Sequence, residues 1–203
     1  MEGGANPLES SVSFLSDGRA ESKRETTLRE ESLKGLPVAE FKEIFMDRQL
    51  IEAYVACGPR LPQAVAGLSN EELTARPGPG SWSILELVLH LTDSDHIAID
   101  RMKRMLTEDN PPLLYADETA YVDRLFSHEQ SLEDALTLFE VGRRQFARVL
   151  RKLPKESFER RGTHNRRGPV TVGGMVKDYI GHVDHHLKFL HDKRARLGKP
   201  FRP

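Results

Sequence analysis

Three histidines fall within five residues, His182, His185 and His186, in the stretch YIGHVDHHLKFL that runs from Tyr179 to Leu190. Neutral imidazole is a common metal ligand. Two imidazoles four residues apart on a helix can reach one ion from the same face. Each helical residue turns the chain by about 100°, so with His182 set at zero His186 lies at about 40°, inside or beside a stripe formed by Tyr179, Val183 and Leu190 at about 60–100°. His185 falls at about −60°, toward Asp178 on the polar margin. Sterically, His185 at a spacing of three could still replace one of its neighbours.

Two ligands do not complete a site. His90 stands in LELVLHLTDSD, among apolar neighbours and on one helical row with Leu87 and Ile97. It reads either as a hydrogen-bonded core histidine or as a third ligand. A set of His90, His182 and His186 would leave a coordination position open, as in catalytic rather than structural zinc sites. Asp93, one turn beyond His90, is a solvated carboxylate or an orienting partner for an imidazole. Glu86 and Asp95 are the other nearby carboxylates. His96, His128 and His191 read as surface residues. His164, in GTHNRRG, sits at the mouth of such a site or is simply exposed.

Helices must carry these side chains. A first helical pattern covers about 41–66, through Ile44, Ile51, Tyr54, Leu61 and Val65, with a kink or break expected at Gly58-Pro59. Helix two starts after RPGPGSW, where Ser83 fits an N-cap, Glu86 completes a capping box, and Trp82 and Leu87 are spaced as a hydrophobic staple. It runs to about Leu106. A polar connection of about 108–130 follows, with a short helical turn near 118–124. Helix three starts at Ser131 with Asp134 in the capping position, and ends near Leu153, before Pro154. Its apolar face holds Leu132, Leu136, Phe139, Phe146 and Leu150. Arg143, Arg144, Arg148, Arg151 and Lys152 read as its solvated side. Thr171 caps helix four, which reaches about Arg196 before Gly198 and Pro200. No stretch reads as a convincing strand. Four helices imply an all-α bundle, and the long second connection implies a crossover rather than a simple up-down order.

Residues 1–40 have no apolar period and read as a disordered extension. A second reading takes Met46 as the native start, which the intact mass from the native host would decide. The helical domain spans 41–197, with a short tail at 198–203. Thirty basic residues balance 31 acidic ones, so charge offers no reason to expect nucleic acid as a partner. There is no long apolar run and no signal-peptide pattern. Cys57 is the only cysteine, which rules out an intrachain disulfide. The protein is expected to be soluble and cytoplasmic. No HExxH, paired ExxH, P-loop or dinucleotide fingerprint is present.

RPGPGSWSILELVLHLTDSD, GRRQFARVLRKLP and HNRRGPVTVGGMVKDYIGHVDHHLKFL together resemble the DinB superfamily, and within it the YfiT-like branch of metal-dependent hydrolases. The likeness covers about 46–194. It implies a four-helix bundle, usually a homodimer, with a divalent zinc or nickel ion held by His90, His182 and His186. His185 matches an additional histidine that is not usually a ligand. Tyr121 stands where relatives often carry Trp, and the Gly173-Gly174 pair replaces larger helix formers. Hydrolysis of a small-molecule substrate is the leading expectation, because such a metal lowers the pKa of bound water. Transfer of a low-molecular-weight thiol is the alternative, since metals also deprotonate thiols. A non-enzymatic bundle binding a structural metal or a small ligand is the third.

Overall fold

A computed structural model of the chain describes residues 48–78 and 80–202. The N-terminal extension, the proposed start at Met46 and the beginning of the first helical pattern lie outside the described residues.

Residues 48–56 are helical (α1). Gly58-Pro59 then breaks the run as the sequence predicts, and α2 resumes at Arg60–Val65. After the short α3 (Asn70–Thr74) comes α4 (Ile84–Thr107). Its cap is the one read from sequence: Ser83 Oγ accepts the Glu86 N–H at 3.2 Å, and Glu86 Oε2 accepts the Ser83 N–H at 2.7 Å. The expected turn at 118–124 is α5 (Glu118–Arg124). Ser131 Oγ accepts from Asp134 N at the start of α6 (Leu132–Leu150). Thr171 Oγ1 accepts from Gly174 N at 3.0 Å at the start of α7 (Val172–Arg196). A Cβ on Gly174 would lie 3.0 Å from that same hydroxyl, so the glycine that weakens local helix propensity lets the cap close.

The broken first helix, α4, α6 and α7 form a four-helix bundle. The structure differs from the sequence reading in its strands. β1 (Pro112–Leu113), β2 (Arg161–His164) and β3 (Gly168–Thr171) form one small sheet. β2 and β3 are an antiparallel hairpin, whereas β1 pairs with β2 in parallel. Parallel neighbours cannot be joined by a tight turn and need a crossover; here α5 and α6 supply it. Segments of two and four residues are too short to show an alternating pattern, which is why sequence reading passed over them. Gly162 is required where they meet, because a Cβ there would come within 2.8 Å of Leu113 Cδ1 and 2.9 Å of Met105 Cγ.

The apolar core is in two parts. One surrounds Leu61, Leu89, Phe139, Val183 and Leu190; the other surrounds Tyr54, Met102, Phe146, Met175 and Val176. Between them along the helices lies Arg143. The sequence reading placed Arg143 on a solvated side, but its side chain is only 1% exposed. Its guanidinium donates to both Asp95 oxygens on α4, at 3.1 and 2.6 Å, to the Tyr54 carbonyl on α1 at 3.1 Å, and to the Tyr179 carbonyl on α7 at 2.9 Å. It also stacks over the Tyr54 and Phe139 rings. One side chain on α6 thus bonds to the other three bundle helices. Arg144, Arg148, Arg151 and Lys152 are exposed, as expected.

Candidate metal centre

α4 presents His90 and α7 presents His182 and His186 to the same point. His90 Nε2 lies 3.2 Å from both His182 Nε2 and His186 Nε2, and those two are 3.0 Å apart. The rings meet edge to face at centroid separations of 4.5–5.1 Å. Three nitrogens cannot all hydrogen-bond to one another across such a triangle, and three inward lone pairs repel. A cation at the centre resolves the conflict: nitrogens bound tetrahedrally at about 2.0–2.1 Å would be about 3.3 Å apart. The donor set therefore fits a divalent ion.

Burial pushes all three imidazoles toward the neutral form that a ligand requires. The His90 pKa falls to about 4, through burial and then the His186 ring. His182 falls to about 3, through burial and then His186, His90 and Arg143. His186 falls to about 4, through burial and then His185. Ser94 Oγ lies 3.5 Å from His90 Nδ1, the outer limit of a hydrogen bond. Trp82, half-buried, packs its ring 5.0 Å from that of His90.

His185 does not join the cluster. It is exposed and packs its ring edge against Phe189. Among the residues expected at the surface, His96 and His128 are exposed, but His128 Nε2 reaches buried Glu86 at 3.2 Å. His191 is half-buried and stacks on Phe201. Cys57 is buried.

A cavity of about 270 Å³ opens beside His90. Asp93 lines it but makes no hydrogen bond to an imidazole, so Ser94 rather than Asp93 stands behind His90. Burial pushes the Asp93 carboxyl up, and His96 opposes the shift. His164 resolves its two alternatives by being buried and lining the same cavity. Tyr121 lines it too. Arg101 and Tyr179, also in the wall, escaped the sequence reading although a signal existed. Arg101 is eleven residues from His90, about 20° away in helical projection. Tyr179 lies nearly one turn before His182 and packs against its ring at 5.6 Å.

The helix start at Ser83, His90 on α4, and His182 and His186 on α7 lie within residues 53–190, which match the family model for the DinB superfamily. The chain belongs to the DinB superfamily. Among its DinB relatives is "Putative metal-dependent hydrolase OB0782" of Oceanobacillus iheyensis, 32% identical over 130 residues, covering 64% of this chain and 75% of that one. "Putative metal-dependent hydrolase YfiT" of Bacillus subtilis is 26% identical over 140 residues, covering 68% and 79%. The solved YfiT structure, described as having an unusual four-helix bundle topology, superposes with a TM-score of 0.71 at 23% identity over 81% of this chain and 91% of that one. The DinB-like protein YjoA of Bacillus subtilis superposes at 0.53 and 18% identity, covering 76% and 96%. These likenesses agree with the bundle described above. No helix among the described residues is long and apolar enough to cross a membrane.

Proposed function

We propose that the protein is a metal-dependent hydrolase of a small-molecule substrate, with His90, His182 and His186 as ligands of a zinc or nickel ion. The convergence of three Nε2 atoms within 3.0–3.2 Å, one of them on a histidine that lines a cavity, carries this reading. The names of the similar proteins support it. When bound, the ion supplies Lewis acidity and lowers the pKa of coordinated water.

The chain's own groups supply the rest. Asp93, half-buried in the cavity wall, is placed to accept a proton from the attacking nucleophile at a carboxylate oxygen. Burial raises its proton affinity toward what a base working near neutral pH needs. Ser94 Oγ, as a hydrogen-bond acceptor for His90 Nδ1–H, would leave the Nε2 lone pair facing the centre. Trp82 and Tyr179 pack against the rings of His90 and His182 and limit the approach of bulk water from those sides.

Metal analysis of the purified protein beside His90→Ala, with ester, amide and thiol-plus-electrophile panels, tests this reading. Stoichiometric metal in wild type, its loss in the variant, and turnover in the ester or amide panel are expected. Activity confined to the thiol panel would replace hydrolysis by thiol transfer. Melting on chelation without turnover in any panel would make the metal structural.

A further inference from the structure

The wall of the cavity away from His90 is made by two crossover segments clamped together. Asn165 Oδ1, in the β2–β3 turn, accepts the Tyr115 N–H at 2.8 Å. Arg166 lays its guanidinium 3.3 Å from the centre of the Tyr115 ring. Arg101, from α4, donates to the carbonyl of Leu114. Neither Arg101 nor Arg166 pairs with a carboxylate among the described residues, although each lines the cavity; Arg167, the third cation there, is paired with Asp178. Two carboxylates also line the cavity, Asp93 and Glu118. Neither meets a guanidinium within ion-pair distance.

His164 adds a donor. Its Nδ1 accepts the backbone N–H groups of Arg166 and Arg167 at 3.1 and 3.3 Å. A ring nitrogen that accepts carries no proton, so the proton resides on Nε2. Burial lowers the affinity of this ring for a second proton, and the positive charges of Arg101, Arg167 and Arg166 lower it further. A buried imidazole N–H and two guanidiniums without carboxylate partners thus line one small cavity. Their shared chemistry is recognition of an oxyanion.

We propose that Arg101, Arg166 and His164 form a subsite for a carboxylate or phosphate on the non-reacting end of the substrate. The proposal rests on the reading of this cavity as the substrate site, and it narrows the substrate class to small organic anions. With the charged end held against Arg101 and Arg166, the neutral remainder of the molecule extends past Ile97 toward His90 and Asp93.

The test is calorimetric titration of the full chain with succinate and with inorganic phosphate, beside metal analysis of the same samples. Saturable binding of at least one probe is expected at millimolar concentration or below. Arg101→Gln and Arg166→Gln should each weaken it about tenfold or more while leaving metal content unchanged. Arg166 is exposed, so its variant keeps the test valid if Arg101→Gln disturbs the fold. His182→Ala, depleted of metal, should bind the probe within about threefold of wild type. Unchanged affinity in both arginine variants, or no saturable binding, would overturn the proposal. So would binding lost with the metal but kept without the arginines, because the anion would then sit on the ion. Binding of the anion by wild type lacking any metal would uphold the subsite and reject the metal centre. The preferred probe decides between carboxylate and phosphate.

Discussion

Arg143 Nη2 lies 2.6 Å from Asp95 Oδ1, and both side chains are 1% exposed. This bidentate pair separates the two apolar parts of the core. Burial pushes the Asp95 carboxyl up, and the Arg143 charge opposes it. Removing one partner strands the other in a medium that cannot solvate it. Arg143→Met should therefore cost about 3–5 kcal/mol, read as a lower urea midpoint. Arg143→Met with Asp95→Leu should recover most of that loss, because two apolar side chains leave no charge uncompensated.

His185 and His186 are adjacent in sequence but differ in environment. His186→Ala should abolish stoichiometric metal binding, whereas His185→Ala should retain it. Elemental analysis after gel filtration separates the two, and equal metal content in both variants would contradict the centre.

The three converging histidines give the metal-free protein a characteristic acid sensitivity. Their folded-state pKa values, about 3 to 4, lie below the unfolded value of 6.5. Below pH 6.5 the unfolded chain binds more protons, so stability falls as pH falls, until the folded-state pKa values are passed. Above pH 6.5 these groups contribute no slope. Denaturant titrations of metal-free protein at pH 7.5, 6, 5 and 4 should show the decline. His90→Gln should make it shallower.

Gly162 sits where the two crossovers touch. Gly162→Ala forces a methyl against Leu113 and Met105. A loss of about 1–3 kcal/mol is expected from overpacking, seen as a lower melting temperature, whereas Gly67→Ala would test backbone strain alone in a site with no neighbour within 4 Å.

Sequence was most informative where one element's own pattern decides the outcome. The caps at Ser83, Ser131 and Thr171 and the break at Gly58-Pro59 are local chemistry, and each is present in the structure. The histidine triangle was legible because helical spacing groups His182 with His186 and the apolar row of helix two offers His90 as a third ligand, although that row also allowed a core histidine and the resemblance favoured the ligand. Arg143 was misread because its burial depends on Asp95, Tyr54 and Tyr179, which belong to three other helices. The sheet escaped notice for the same reason: β1 has only two residues, and its partner comes from the far side of α6. The role of His164 was left open because its neighbours arrive through the hairpin.

Pro112 pairs with Thr163 across roughly fifty residues, a span that contains all of α6. Closing so long a loop is entropically costly until α6 has folded back onto α4. The helices can therefore assemble first, and the wall carrying Tyr115 and Arg166 is completed late. The same order reversed makes it the first part to come apart. Amide hydrogens of Thr163 and Asn165, which bond to the Pro111 and Leu113 carbonyls, should exchange well before those of Leu89 or Met102 in α4. A cavity built this way has a ready route for its contents to enter and leave: transient release of one short strand, with the bundle beneath it intact.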